Sequence, residues 1–452
     1  MTGAAQGQSL LRAAAPPKDP QDAASADNWT FVGSVPAVSE GWKLYISASN
    51  ANFSDTLKAA APVLALHSAS YKHVASERVL RKINSGLYGY SQIGKTIVVY
   101  IDDPAKGRSL VQALKPAVRM FAHSTMLPPF ADLIGGGLPL SYRYGAFAGE
   151  EITIGGMRQA DRRTRRPSTM AGLPENPFTS CLEPGAETTS LDGFLTSYPV
   201  FEVISQSAKG GIYAAMDLSS PVFREVIIKL GRRRGHVLPD GRDGSDLIRR
   251  ESWFYDRAKE HGLARVIPVL DGLFEFGDGA LIVLERVEGK SLEELNRSGE
   301  LEPRTLDDAM AILAEFHRKG LLVGDAKLSN FILGVDGTLR IIDFEAGSLL
   351  SETSLPDQHT TFVFTDDRLS SRPCERELLH FLYSALHEEQ ASSFDETTRI
   401  IDLASVIATD RTASPVQASA RRTMRLLLDN VRMAPEIADQ RPPSNRMSSP
   451  AS

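Results

Sequence analysis

The sequence predicts an α+β chain: a mixed α/β domain, then a second domain in which strands come first and helices later. Two observations carry this. Strand-type alternation and helix-type spacing are interleaved over roughly the first 150 residues. From Tyr198 onward, three short β-type runs give way to helical periodicity that lasts almost to the end. At 452 residues the chain is long enough for two or three separate cores.

The composition excludes several classes. Charged residues make up 23% and hydrophobic residues 42%, ordinary for a globular protein. A net charge of −6 gives no overall electrostatic footprint for nucleic acid. No apolar run of about eighteen residues predicts a membrane span. No charged segment followed by an apolar one marks a secretory signal. Cys181 and Cys374 lie far apart and form no C-x-x-C, which fits a reducing cytoplasm.

Residues 1–28 and 433–452 read as disordered tails, poor in residues that could build a core. Within 29–180, "GWKLYISAS" alternates as a strand, with Trp42, Leu44 and Ile46 on one face and Lys43, Tyr45 and Ser47 on the other. "FSDTLKAAAPVLALHS" has helical spacing, with Pro62 against its second half. "KTIVVYID" predicts a strand and "GRSLVQALKPAVRMFAHS" a helix. The polar, basic stretch "MRQADRRTRRPSTMAGLPENPF" reads as loop or linker, and 181–197 as the linker proper.

In the second domain, 198–432, "YPVFEVIS", "GGIYAAMDL" and "FREVIIKLG" are strands between turn signals. "GSDLIRRESWFYDRAKEHGL" is a helix with Ser245 as its N-cap and Gly262 at its end. "ALIVLERV" is a strand, and "TLDDAMAILAEFHRKG" a helix stopped by Gly320. "CERELLHFLYSALHEE", "ETTRIIDLASVIA" and "VQASARRTMRLLLDNVRMA" are expected to be helical.

The chemistry-bearing residues lie in this domain. Transfer of a γ-phosphoryl group needs metals bridging the phosphates, a cation on them, and a carboxylate that takes the nucleophile's proton. "GDAKLSNFILGVDGTLRIIDFEAG" supplies Asp325 as base, Asn330 five residues on as one metal ligand, and Asp343 after an apolar run as the other. Lys229 ends the strand "EVIIK", where a phosphate-contacting lysine belongs, and Glu251 on the next helix can pair with it. "ALIVLERVEGKSLEEL", with Glu285, reads as the hinge strand beside a purine. Lys327 stands where Ser/Thr protein kinases keep a lysine against the moving phosphoryl group. Each element alone is weak; the ordered set predicts a bilobal protein-kinase-like domain using ATP or GTP and Mg²⁺.

Departures are plain. "SQSAKGGIYAA" is not G-x-G-x-x-G, so Ser207, Gly210 and Gly211 are expected to cover the phosphates. Val323-Gly324-Asp325 replaces H-R-D, Asp343-Phe344-Glu345 replaces D-F-G, and no A-P-E follows. A nucleotide-binding pseudokinase scaffold is the competing reading. The basic stretch at 162–166 and "GRRRG" at 231–235 read as solvated turns. His67, His123 and His317 show no metal-ligand pairing and are expected to be structural.

The kinase region resembles that of class III and IV lanthionine synthetases, through "SAKGGIYAAMD", "VIIKLGRRRGHVLPDGRDGSDLIRRE", "GDAKLSNFILGVDG" and "IIDFEA". Residues 29–180 resemble the phosphoSer/phosphoThr lyase domain of those enzymes, itself similar to effector phosphothreonine lyases, through "GWKLYISAS", "YKHV", "INSGLYGYSQIGKTIVVY" and "LSYRYGAF". The family goes on to a carboxy-terminal cyclase, usually with zinc ligands; Cys181 and Cys374 give no such set, and this chain is expected to lack it.

The resemblance implies a Ser/Thr-containing precursor peptide as substrate, phosphorylated and then stripped of phosphate to leave dehydroamino acids, with a separate cyclase as a further partner. It implies Lys72 as the base that removes the α-proton, Lys43 and Arg143 on the phosphate, Lys95 beside them, and Arg163 as a weaker candidate. Tyr45 stands where the family has a histidine acid, and Tyr90 where it has an arginine ahead of the turn and lysine. Loss of a general acid typically costs about 10²–10⁴-fold. A domain that binds peptide without eliminating phosphate therefore remains the alternative.

Overall fold

The computed structural model describes residues 26–34, 38–124, 127–147, 149–163, 166–184, 192–234, 238, 241–276, 279–352, 362–364, 372–386, 399–401 and 414–433. Most of the two expected tails lies outside these residues. The chain divides into two compact units, the first spanning 1–289 with 334–347 and 390–397, the second the remainder.

Two large sheets lie in the first unit. β1 (Trp29–Val32), β2 (Glu40–Ile46), β3 (Tyr71–Val74), β4 (Ile97–Ile101), β5 (Asp132–Leu133) and β6 (Leu140–Ala146) form one of them. Its order is β1-β3-β4-β2-β6-β5, and every pairing is antiparallel. Trp42, Leu44 and Ile46 of β2 turn to one side, into a core with Leu64 of α1 (Phe53–Leu66) and Leu110, Val111 and Leu114 of α3 (Pro104–Val118). Burying each large aliphatic side chain contributes about 1.5–3 kcal/mol. Pro62 does not interrupt α1; it is exposed, so the Lys58 carbonyl it leaves unbonded can be hydrated. On the other side, Tyr45, Val98 and Tyr100 pack with Val79, Leu80 and Ile83 of α2 (Glu77–Ser85).

The stretch after residue 156, read as loop or linker within 29–180, contains a strand and packs on this domain. β7 (Glu151–Ile154) and β8 (Met157–Ala160) form a hairpin, and Phe178 is fully buried in the main core. β8 is exposed throughout, so its sequence carries no apolar alternation.

After α4 (Asp192–Ser197), the second sheet is built from β9 (Val200–Gln206), β10 (Gly210–Asp217), β11 (Arg224–Arg232), β12 (Leu270–Phe276) and β13 (Gly279–Glu285), in the order β12-β13-β11-β10-β9. α5 (Gly244–Glu260) packs on it. Its N-cap is Asp243, not Ser245: the Asp243 carboxylate accepts from the Ser245 and Asp246 backbone N–H groups, and Asp246 returns the bond. The turn expected to be solvated at 231–235 is also anchored. Arg232 donates to the Leu127 carbonyl at 2.8 Å and Arg234 to the Gly137 carbonyl at 3.1 Å, so the turn holds the second sheet to the first domain.

In the second unit, α7 (Pro303–Arg318), α8 (Pro373–Leu386) and α9 (Pro415–Met433) pack against one another, following α6 (Leu292–Ser298). Leu306, Ala309, Leu313 and Phe316 form the buried stripe of α7. One helical expectation fails: Arg399–Ile401 is a strand paired in parallel with Phe362–Phe364, and the rest of that segment lies outside the described residues. The β-branched pair Ile400-Ile401 suits that pairing.

Candidate active sites

The first site lies on one face of the six-stranded sheet. Register alone assembles it. Phe31 faces Lys72, Lys72 faces Val98, Val98 faces Tyr45 and Tyr45 faces Ser141, while the next row sets Tyr100, Lys43 and Arg143 side by side. All of these but Ser141, with Trp29, Gln92, Lys95, Phe147 and Arg163, line a cavity of about 330 Å³. Sequence alternation had placed Lys43 and Tyr45 together; the cavity adds the rest.

The cavity is strongly cationic. Lys43, Lys72, Lys95, Arg143 and Arg163 face it, and the nearby carboxylate, Asp161, is engaged by Arg143 at 2.5 and 3.1 Å. Asp161 also accepts from the Ala146 N–H at 3.2 Å. Burial works to raise its pKa, but the Arg143 bonds outweigh this and hold it below the usual carboxylate range. Gly145 leaves room for the pair, since a Cβ there would lie 2.5 Å from Arg143 Nη1 and 2.7 Å from Asp161 Oδ2.

Burial, reinforced by Arg163, lowers Lys43 to about 7 and Lys72 to about 8, and takes Lys95 well below its ordinary value. Lys72 sits 4.1 Å over the Trp29 ring and Lys95 5.3 Å over that of Tyr45. Lys43 donates to the Ala146 carbonyl. Burial pushes the Tyr45 and Tyr100 hydroxyls up to about 12. His73 turns away, toward Tyr71 and Phe53. Tyr90 packs on Phe130, and Gln92 rather than Tyr90 lines the cavity. Such a site fits a phosphate-bearing side chain.

Another cluster in the first unit lies on the five-stranded sheet and α5. Lys229 of β11 places Nζ 2.7 Å from Glu251 Oε1 and 2.8 Å from Asp343 Oδ1. Burial opposes its charge, but Asp343 and Glu251 more than compensate and hold its pKa well above the ordinary value. Glu251 also accepts from the Phe344 N–H at 3.2 Å, and the Phe344 ring stacks on Phe254 at 4.8 Å. Asp343 has φ +70°, the left-handed region that side chains rarely adopt, as found where function over-determines the backbone. Gly210 and Gly211 lie within β10 and Ser207 in the short loop before it. A Cβ on Gly210 would sit 1.6 Å from the Leu230 carbonyl oxygen, so the tight strand pairing itself requires that glycine. The Glu285 carboxylate accepts from Arg340 at 2.6 Å and from the Val269 N–H at 3.0 Å.

A separate cluster lies in the second unit. Asp325 and Lys327 form an ion pair at 3.1 Å, and Asn330 Nδ2 donates to the Asp325 carbonyl at 2.9 Å. α8 anchors this loop: Glu377 accepts from the Gly324 N–H and pairs with His317 at 2.7 Å, while Ser384 Oγ accepts from the Leu328 N–H at 3.0 Å. His317 is thus structural. Among the described residues no group of three or more His, Cys, Asp or Glu side chains could hold a metal by itself. Asn330 and Asp343 each carry a side-chain oxygen donor of the kind that Mg²⁺ takes.

Sequence reasoning missed Asp161, Trp29 and Tyr100. Asp161 stands two residues before Arg163 in a stretch without periodicity; the strand "KTIVVYID" did carry Tyr100 in an alternating position. Among the described residues no helix is long and apolar enough to cross a membrane.

Residues 11–170 match the family described as RamC, N-terminal domain. Over 347 residues, 69% of this chain, the sequence is 26% identical to the probable SapB synthase of Streptomyces coelicolor. It is 27% identical over 171 residues, 37% of the chain, to the serine/threonine-protein kinase PrkC of Bacillus subtilis. It is 32% identical over 96 residues, 20% of the chain, to the probable serine/threonine-protein kinase PknB of Lactococcus lactis. The chain spans only 36%, 25% and 15% of the lengths of these relatives. Different parts of the chain are thus similar to a synthase and to serine/threonine-protein kinases.

Proposed function

We propose that the chain phosphorylates Ser or Thr of a precursor peptide with ATP or GTP and Mg²⁺, and that its N-terminal domain receives the phosphorylated side chain. The observation that carries the first half is Lys229 held between Glu251 and Asp343. That arrangement fits a lysine for nucleotide phosphates, a glutamate that fixes it, and a metal-binding aspartate. Asp325 is assigned to take the hydroxyl proton, Lys327 to offset the charge of the moving phosphoryl group, and Asn330 to share the metal. When bound, Mg²⁺ supplies charge neutralisation between the phosphates. Residues 198–432 are read as a two-lobed protein-kinase-like domain and the chain as cytoplasmic.

In the N-terminal cavity, Lys43, Arg143, Lys95 and Arg163 hold the phosphate. Neutral Lys72 takes the α-proton; the Cβ–O bond breaks, phosphate departs, and a Cα=Cβ double bond remains. The lowered Lys72 supports this chemistry. One observation favours a second reading, binding without elimination: the Tyr45 hydroxyl, raised to about 12, is a reluctant acid where the related lyases use histidine.

Intact-mass measurement of precursor peptides incubated with the full chain, nucleotide and Mg²⁺ separates the readings. A gain of about 80 Da means phosphorylation alone, and a loss of about 18 Da means phosphorylation followed by elimination. No mass change alongside measurable nucleotide binding would leave a scaffold.

A further inference from the structure

The loop that joins β9 to β10 is Ser207-Ala208-Lys209, three residues where a glycine-rich phosphate loop would be longer. It has little backbone to wrap a triphosphate. Its backbone is also fixed. The Lys209 carbonyl accepts from the Arg232 N–H at 2.7 Å, and a Cβ on Gly244, the first residue of α5, would lie 2.1 Å from that same oxygen. Ala208 is packed against Ile93. What remains free to act is the Lys209 side chain, which reaches Glu345, two residues after the proposed metal ligand Asp343.

Lys209 therefore joins the Lys229 cluster. Two ammonium groups, Lys209 and Lys229, stand against three carboxylates, Glu251, Asp343 and Glu345, and both lysines hold partners from the same short segment, 343–345. The side chains of Lys209, Glu345 and Asp343 are 32%, 27% and 31% exposed, unlike those of Lys229 and Glu251, so solvent reaches the Lys209–Glu345 pair.

We propose that Lys209 is a phosphate-binding residue of the nucleotide site, its ammonium substituting for the missing loop amides, and that Glu345 is its resting partner, displaced when a triphosphate arrives. This rests on the nucleotide-binding reading of Lys229 and Asp343. A triphosphate carries more charge at the contact than one carboxylate and presents several oxygens to an ammonium. Glu345, standing where D-F-G kinases have glycine, thus competes with the nucleotide for one lysine.

The test is affinity for a fluorescent ATP analogue with Mg²⁺, measured on the full chain with circular dichroism to confirm folding. Lys209→Met should weaken binding about tenfold, the scale of one lost charge-assisted contact. Glu345→Gln should tighten it several-fold, and Lys209→Met/Glu345→Gln should match Lys209→Met alone. Opposite signs for the two single variants support the proposal. A merely structural ion pair would weaken binding in both, and that result overturns it. So does unchanged binding in Lys209→Met when Lys229→Met abolishes binding, an outcome that leaves the nucleotide site itself intact. Absence of binding by the unmodified protein overturns both readings.

Discussion

Arg143 and Asp161 form a two-bond ion pair, at 2.5 and 3.1 Å, with side chains only 4% and 1% exposed. The pair fixes the guanidinium between the cavity and the core. Its geometry couples stability to ligand binding, because removing the carboxylate leaves a buried cation without compensation.

Asp161→Asn should accordingly cost about 3–5 kcal/mol, the range for breaking a buried pair from one side. Gly145→Ala should destabilise for a related reason, since its methyl enters the space of both partners. Thermal melts of the full chain check this, and millimolar phosphate should restore part of the loss in Asp161→Asn by neutralising Arg143. A variant that melts with the native protein would show that the pair contributes nothing.

If the cavity eliminates phosphate as proposed, the pH dependence of that step follows from two lysines. Lys72, lowered to about 8 by burial and then Arg163, must be neutral to take a proton, so activity rises as pH climbs through that value. Lys43, lowered to about 7 by burial and then Arg163, must be charged to hold phosphate, so binding weakens as pH passes it. kcat/KM should trace a narrow bell centred at about pH 7.5. Phosphate binding favours both ammonium forms, so proton uptake on binding should be measurable by calorimetry in two buffers at pH 8. A flat profile from about pH 6 to 9 would remove both lysines from these roles.

Tyr45→His puts an acid of ordinary pKa near 6.5 where a hydroxyl near 12 now stands. If elimination occurs, its rate should rise by at least about tenfold, within the range for general acid catalysis. Lys72→Ala should instead let phosphopeptide accumulate. Mass spectrometry reads both. Continued dehydration by Lys72→Ala would sink the base assignment.

How much of this was legible in the sequence depends on how local each signal is. The three strands β9 to β11 and the helix carrying Glu251 were legible because alternation and capping act over a few residues. The capping aspartate was misplaced by two positions, since Asp243 and Ser245 are both good caps and only the backbone geometry separates them. β8 was missed because all four of its residues are exposed, so no apolar period betrays it. Asp161 was invisible for another reason: its meaning comes from a contact with a residue 18 positions earlier, brought to it by the turn of the chain after β6. Lys43 and Arg143 are 100 residues apart, yet both were legible from short motifs; their adjacency across β2 and β6 was not.

Asp325 offers the cleanest separation of binding from chemistry. Its carboxylate pairs with Lys327 at 3.1 Å, whereas the bond from Asn330 goes to its backbone carbonyl. Asp325→Asn therefore leaves the Asn330 tether and the Glu377 anchor at Gly324 in place, while it removes the group assigned to take the hydroxyl proton and its ion pair with Lys327. Phosphorylation should fall by about 10²–10⁴-fold. Affinity for the fluorescent nucleotide should stay within about twofold, since no nucleotide contact is assigned to this side chain. Asn330→Ala should differ, losing Mg²⁺-dependent affinity as well as rate, because it removes a proposed metal ligand and the tether together. Equal loss of nucleotide binding in both variants would mean that Asp325 holds the loop rather than the proton.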